Sequence, residues 1–214
     1  MKNLVIIGAG SFGREVYNLA LDCPEYASTY TVKGFIDNVY DTIEYDGYPP
    51  ILSRIDDYIP VEGDIFVCAI GDVNWKKKYI QSILNKGGEF ISLIHPLAHV
   101  SRNVVMGKGC IVCGQSFISC DVHIGNFTAI QPHVMIGHDN IIGEYCQINS
   151  NATFGGFVNI GNGVTIHTSA VLLPRAKVFD NATVGAGSVV LRSVPENVTV
   201  FGNPARPVHL PETK

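Results

Sequence analysis

The chain has 214 residues, of which 46% are hydrophobic and 16% charged, with a formal net charge of -4. This composition fits a folded globular protein of one large domain or two small ones and excludes a disordered chain. There is no basic field to draw nucleic acid or anionic lipid, and no apolar run long enough for an export signal or a membrane span.

A cytoplasmic protein is therefore expected. Cys23, Cys68, Cys110, Cys113, Cys120 and Cys146 should be reduced and buried. Cys110-x-x-Cys113 has no second pair of cysteines or histidines to complete a metal site, so no metal is expected.

The first ninety or so residues carry alternating strand and helix signals. "LVIIGAGSFGREV" reads as a short apolar strand, a Gly-x-Gly-x-x-Gly turn and a helix. Gly8, Gly10 and Gly13, with Ser11, let the backbone turn tightly and bring amides to a phosphate at a helix start, although the same glycines also serve plain packing of helix on strand. Val16, Leu19 and Ala20 form the inner face of that helix, and Pro24 ends it. A strand at 32–36 leads into Asp37, placed where an acidic side chain binds a ribose. "DIFVCAIGD" is a further strand ending at Gly71. A helix follows with Trp75, Tyr79, Ile80, Ile83 and Leu84 on one face and Gly87-Gly88 as its stop. The unit is too short for a full two-halved dinucleotide fold, so NAD chemistry is not expected.

From Ile94 the sequence obeys a six-residue rule. Ile94, Val100, Met106, Val112, Ile118, Ile124, Ile130, Ile136, Ile142, Ile148, Phe154, Ile160, Ile166, Leu172, Val178, Val184 and Val190 are all large and apolar. Four positions after each lies a mostly small or β-branched residue, and directly after many of them lies a glycine, as at 107, 125, 137, 143, 155, 161 and 185. Neither a helix nor an alternating strand has this period. A triangular parallel β-helix does, with the spaced apolar residues pointing inward, glycines relieving tight left-handed corners, and coils stacked at about 4.8 Å. The phase is expected to hold from Ile94 to Val194. The domains expected are residues 1–92, α/β, and 93–214, all β.

"FGNPARPV" at 201–208 matches the VxGxPAxxI ending of hexapeptide acyltransferases. Together with the repeat, it resembles the left-handed β-helix acetyltransferase superfamily, and the resemblance supplies the handedness. "IIGAGSFGREV", "GFIDN", "YPPILSRIDD", "AIGD" and "LIHPLAHVS" are similar to one branch of it, bacterial sugar acetyltransferases with an N-terminal nucleotide-sugar domain. That branch includes UDP-N-acetylbacillosamine and perosamine N-acetyltransferases and sialic acid O-acetyltransferases. The resemblance implies a Rossmann-like N-terminal domain holding the nucleotide, a homotrimer, and acetyl-CoA held between adjacent β-helices.

In "GHDNIIG" at 137–143, His138 falls on the outward row, so core packing does not explain it. A neutral imidazole suits the base that takes a proton from an attacking amine or hydroxyl, and Asp139 can hold its tautomer. Gly156 lies eighteen residues on, at the same corner of the next coil, and Gly155-Gly156 offers amides for an oxyanion. The resemblance also implies an acetyl contact at this glycine. It places Gln147 where relatives often carry a second histidine, and His167 in the CoA wall with Gly185, Ala186, Gly187, Ser188, Pro204 and Ala205. His133 is a candidate substrate contact, as are Gly8, Gly10, Ser11, Gly13, Asp37 and Gly71 for the nucleotide. His95, His99, His123 and His209 are read as structural or exposed.

These readings lead to an acetyl-CoA-dependent N-acetyltransferase acting on a nucleotide-linked amino deoxysugar in surface-glycan synthesis. A sialic acid-type sugar O-acetyltransferase is the alternative within enzymes. A non-catalytic, trimeric nucleotide-binding module is the alternative outside them.

Overall fold

The structure is a computed structural model that describes residues 1–208; His209 lies outside the described residues. The chain divides into two compact units, Met1–Pro96 with Lys108–Ile111, and Leu97–Gly107 with Val112 onward.

The first unit runs β1 (Lys2–Ile7), α1 (Ser11–Asp22), β2 (Tyr30–Ile36), β3 (Ile51–Ser53), β4 (Asp64–Cys68), α2 (Val73–Asn85) and β5 (Glu89–Phe90). Its sheet is all parallel in the order β3-β2-β1-β4-β5. The central strands are the continuous apolar runs that a sheet covered on both faces requires; Leu4 to Ile7 are fully buried. β1 ends at Gly8, whose φ is +101°, a conformation that side chains resist. α1 buries Gly13, Val16, Leu19 and Ala20 as its periodicity predicts. α2 is capped by Asp72, which accepts the N–H groups of Asn74 and Trp75 at 2.9 Å each. Its inner face is Val73, Lys76, Tyr79, Ile80 and Ile83. Trp75, expected inside, is 49% exposed, because it sits about 100° around the helix from Lys76.

The second unit is a parallel β-helix of two-residue strands on three faces. Phe117–Ile118, Met135–Ile136, Thr153–Phe154 and Val171–Leu172 stack on one face. His123–Ile124, Ile141–Ile142, Asn159–Ile160 and Lys177–Val178 form the second. Ala129–Ile130, Gln147–Ile148, Thr165–Ile166 and Thr183–Val184 form the third. The six-residue rule becomes an inward stack: Ile118, Ile130, Ile136, Ile148, Ile166 and Val184 are fully buried. Ile94 is 40% exposed and belongs to the first unit. Val100 and Met106, in the first rungs with a coil on one side only, are half-buried.

Three expectations are corrected here. The phase does slip after Val190. Leu172 pairs Val190 eighteen residues on, but Val178 pairs Val194 and Val184 pairs Val200, only sixteen on. The last coil is shortened by two residues. The glycines that follow the apolar positions are not the left-handed corners either. Those fall two residues later, at Asp121, Phe127, His133, Asp139, Tyr145, Asn151 and Phe157 among others, with φ between 57° and 62°. The glycines are close-approach points instead: a Cβ on Gly125 would stand 2.6 Å from the carbonyl carbon of Gly143 on the next coil. Finally, all six cysteines are free thiols, but Cys120 is exposed. Among the described residues no helix is long and apolar enough to cross a membrane.

Candidate active site

Asp139 occupies a left-handed corner with φ 57°, a conformation that aspartate tolerates better than most residues. The turn folds its carboxylate back onto the preceding side chain, so that His138 Nδ1 and Asp139 Oδ2 lie 2.6 Å apart. Both side chains are open to solvent, at 52% and 42%. With Nδ1–H donating to the carboxylate, Nε2 carries the lone pair and has no protein partner among the described residues. The ring lies over Gly156, where a Cβ would stand 2.6 Å from Cε1 and Nε2. Phe157 meets it edge-on, with ring centroids 5.2 Å apart at 89°.

The oxyanion reading narrows to one residue. Gly155 is not a donor, because its N–H bonds to the Leu172 carbonyl at 2.9 Å in the coil ladder. The N–H of Gly156 meets no acceptor among the described residues. Beneath this corner lies a residue the motif reading passed over. Asn140 is fully buried, donates to the carbonyls of Gly137 and Gly155 at 3.0 Å each, and accepts the N–H of Val158. It ties the coil of His138 to the coil of the glycine pair. The signal was present: Asn140 is a large polar residue in an inward row otherwise mostly small or apolar.

Other expected site residues stand elsewhere on the prism. His133 and His138 occupy the two corners that flank the Met135–Ile136 strand. Gln147 lies on the face opposite the His138 corner, 3% exposed, with its Nε2 donating to Asn149 Oδ1 at 3.1 Å. One chain therefore does not bring His133 or Gln147 to His138. His167 shares the His133 corner, with Nδ1 3.4 Å from Asn149 Nδ2. Gly185 to Ser188 lie one coil beyond, and Ala205 N–H bonds Val189 O at 2.8 Å, bringing Pro204-Ala205 to the same corner. Ala186 and Gly187 are exposed there. Gly185 and Ser188 are not contact surface: Phe201 covers the glycine, and Ser188 is buried with its hydroxyl accepting Gly202 N–H at 3.1 Å.

The first unit holds a cleft of about 690 Å³ at the carboxyl ends of its strands, lined by Gly8, Gly10, Ser11, Asp37 and Gly71, with Arg54, Trp75 and Lys78. α1 opens it with an N-terminus that lacks a side-chain cap and acidic residues in its first turn, so its N–H groups favour an anion. Two expected contacts change role. Gly13 is outside the cleft and is a packing glycine, since a Cβ there would collide with the Gly8 carbonyl. Asp37 is only 6% exposed. Its Oδ2 accepts Ala9 N–H at 2.7 Å, and its Oδ1 accepts those of Val39 and Tyr40 at 2.6 and 3.1 Å. It shapes the loops around the cleft and has little free surface for a ribose. Among the described residues no group of histidines, cysteines and acids could hold a metal ion.

The PglD N-terminal domain family matches residues 3–83. GDP-perosamine N-acetyltransferase of Escherichia coli O157:H7 is 32% identical over 213 residues, covering 94% of each chain. The acetyltransferase domain of PglB from Neisseria gonorrhoeae FA1090 superposes with a TM-score of 0.89 at 25% identity, covering 97% of this chain and 100% of that one. A histidine-to-asparagine variant of perosamine N-acetyltransferase from Caulobacter crescentus, in complex with CoA and GDP-perosamine, gives 0.88 at 26% identity, covering 98% of both. The solenoid is the left-handed β-helix of these enzymes. The chain belongs to the family of sugar N-acetyltransferases that join a PglD-type N-terminal domain to a left-handed β-helix.

Proposed function

We propose that the protein transfers acetyl from acetyl-CoA to an amino group of a nucleotide-linked deoxysugar for surface-glycan synthesis. The observation that carries the mechanism is the His138–Asp139 contact at 2.6 Å, solvent-facing, with Nε2 free over Gly156. As the sugar amine attacks the thioester carbonyl, Nε2 takes its proton. Asp139 holds the ring and stabilises the imidazolium. The Gly156 N–H donates to the oxygen on which charge develops. When the tetrahedral intermediate collapses, the C–S bond breaks and the imidazolium returns the proton to the CoA thiolate. The two perosamine N-acetyltransferases named above acetylate an amine, which favours this reading over sugar O-acetylation.

The N-terminal unit, read as Rossmann-like, takes the nucleotide of the acceptor in the cleft at Gly8, Gly10 and Ser11. The Ala186-Gly187 corner with His167 and Pro204-Ala205 takes CoA. Within one chain this corner and Gln147 stand away from His138, and a homotrimer supplies one chain's wall to the next chain's base. This chemistry places the protein in the cytoplasm, where acetyl-CoA and nucleotide sugars are available. The test is thioester consumption with UDP-, GDP- and dTDP-linked amino sugars and free sialic acid. Consumption with an amino sugar nucleotide is expected; turnover with sialic acid alone overturns the proposal.

A further inference from the structure

The cleft of the first unit carries a carboxylate that the proposed reaction leaves unused. Asp56 lines it together with Asn38 and Trp75. The side chain is exposed, and its Oδ2 accepts an N–H of Asn38 Nδ2 at 3.0 Å. Among the described residues the carboxylate has no other hydrogen bond and no ion pair.

The turn that presents Asp56 is held on several sides. The N–H groups of Asp57 and Tyr58 donate to the Arg54 carbonyl at 3.2 and 3.1 Å. Asn38 Oδ1 accepts the N–H of Ile55 at 2.9 Å. Lys86 Nζ donates to the carbonyls of Asp56 and Tyr58 at 2.6 and 3.0 Å. The carboxylate is therefore placed before a ligand arrives, and little ordering is left to oppose binding. Trp75 adds an apolar wall to the same cleft, with Tyr79 stacked on it at 5.4 Å and Lys78 Nζ 4.6 Å from its centre. Such a wall suits the flat face of a base, while the uncapped α1 N-terminus suits the diphosphate.

A carboxylate only accepts hydrogen bonds, through two oxygens in one plane. Guanine alone among the bases sets two donors side by side on one edge, N1–H and the exocyclic amino group. Uracil and thymine place a single N–H between two carbonyl oxygens, which a carboxylate repels. Adenine and cytosine set an amino group beside a ring nitrogen whose lone pair would face the second oxygen. We propose that Asp56 reads guanine through these two donors, so that the acceptor is a GDP-linked amino sugar. Oδ2 can take part while held by Asn38, because each carboxylate oxygen has two lone-pair sites. This rests on the reading of the cleft as the nucleotide site.

Calorimetry on the full chain with GDP, inosine diphosphate, UDP and ADP tests it; inosine diphosphate is GDP without the exocyclic amino group. Wild type should bind GDP about 10- to 100-fold more tightly than UDP or ADP, the discrimination of a two-donor pair against a wrong base. Inosine diphosphate should fall between. Asp56→Ala should bring GDP down to the level of UDP. Asp56→Asn, with its oxygen kept by Asn38 and its amide N–H groups toward the base, should weaken GDP and strengthen UDP. Equal wild-type affinity for GDP and UDP, or for GDP and inosine diphosphate, overturns the inference. So does a preference for GDP that survives in Asp56→Ala, or an equal loss on every nucleotide in that variant, which would mean a structural role. Wild type that binds none of the four overturns the nucleotide reading of the cleft itself.

Discussion

Gly156 and His138 are in contact across one coil: a Cβ on the glycine would stand 2.6 Å from both Cε1 and Nε2 of the imidazole. The position of the His138 ring therefore depends on the absence of a side chain at the next corner. Gly156→Ala should push the ring away and cut kcat by roughly 10²-fold, the effect of about 1 Å of misplacement at a reacting group. Because the ring swings outward into solvent, the melting temperature should barely move. Wild-type kcat in this variant would show that the ring position does not matter.

His138→Ala should lower kcat by about 10²–10⁴-fold, the range for a positioned general base. The side chain is 52% exposed, so stability should stay within about ±0.5 kcal/mol. Asp139→Asn should cost less, because the base remains and only its orientation and counter-charge are lost. Wild-type kcat in His138→Ala would assign proton removal to another group.

Asn140 is the internal support of this corner. Asn140→Val strands the carbonyls of Gly137 and Gly155 and the N–H of Val158 inside the prism. Each buried unsatisfied group costs about 1–3 kcal/mol, so a clear fall in melting temperature is expected, together with reduced kcat as the base loosens. Chemical denaturation and steady-state kinetics on the same sample check both halves.

Asp37→Asn should affect the acceptor and not the donor. Its carboxylate holds the N–H groups of Ala9, Val39 and Tyr40, and the amide has only one oxygen to offer them. KM for the nucleotide sugar should rise while KM for acetyl-CoA stays near wild type. Calorimetry with the free nucleotide should show the same weakening, and tight NAD binding instead would overturn the assignment of the cleft.

Asp64 gives the fold a pH dependence of predictable sign. It is buried, which by itself raises a carboxyl's pKa, yet the Tyr58 hydroxyl at 2.6 Å, Lys33 at 2.9 Å and Val61 N–H at 3.1 Å outweigh this and hold it below its ordinary value. A depressed carboxylate stabilises the fold above its unfolded pKa, about 3.9, and the contribution fades as pH falls through the lower folded value. Asp64→Asn should therefore be less stable than wild type at neutral pH. The difference should shrink below about pH 4, as read from urea midpoints across the pH range.

The sequence by itself determined the prism and the dyad. A six-residue apolar period admits one architecture, since only residues on an inward row must all be large and apolar. An outward histidine beside an acid between glycines then stands out against that frame, as His138 does. What the period cannot encode is contact between coils and the direction of backbone groups. Gly155 and Gly156 read alike in sequence, yet the ladder consumes one N–H and leaves the other. Asp37 reads as a ribose ligand, yet burial and three backbone donors claim its oxygens. Phe157 and Arg175 carry no motif, and only the eighteen-residue stacking of corners sets them in line with the His138–Asp139 corner. Gln147 sits nine residues from His138, half a coil, and half a coil in a triangular prism leads to the opposite face.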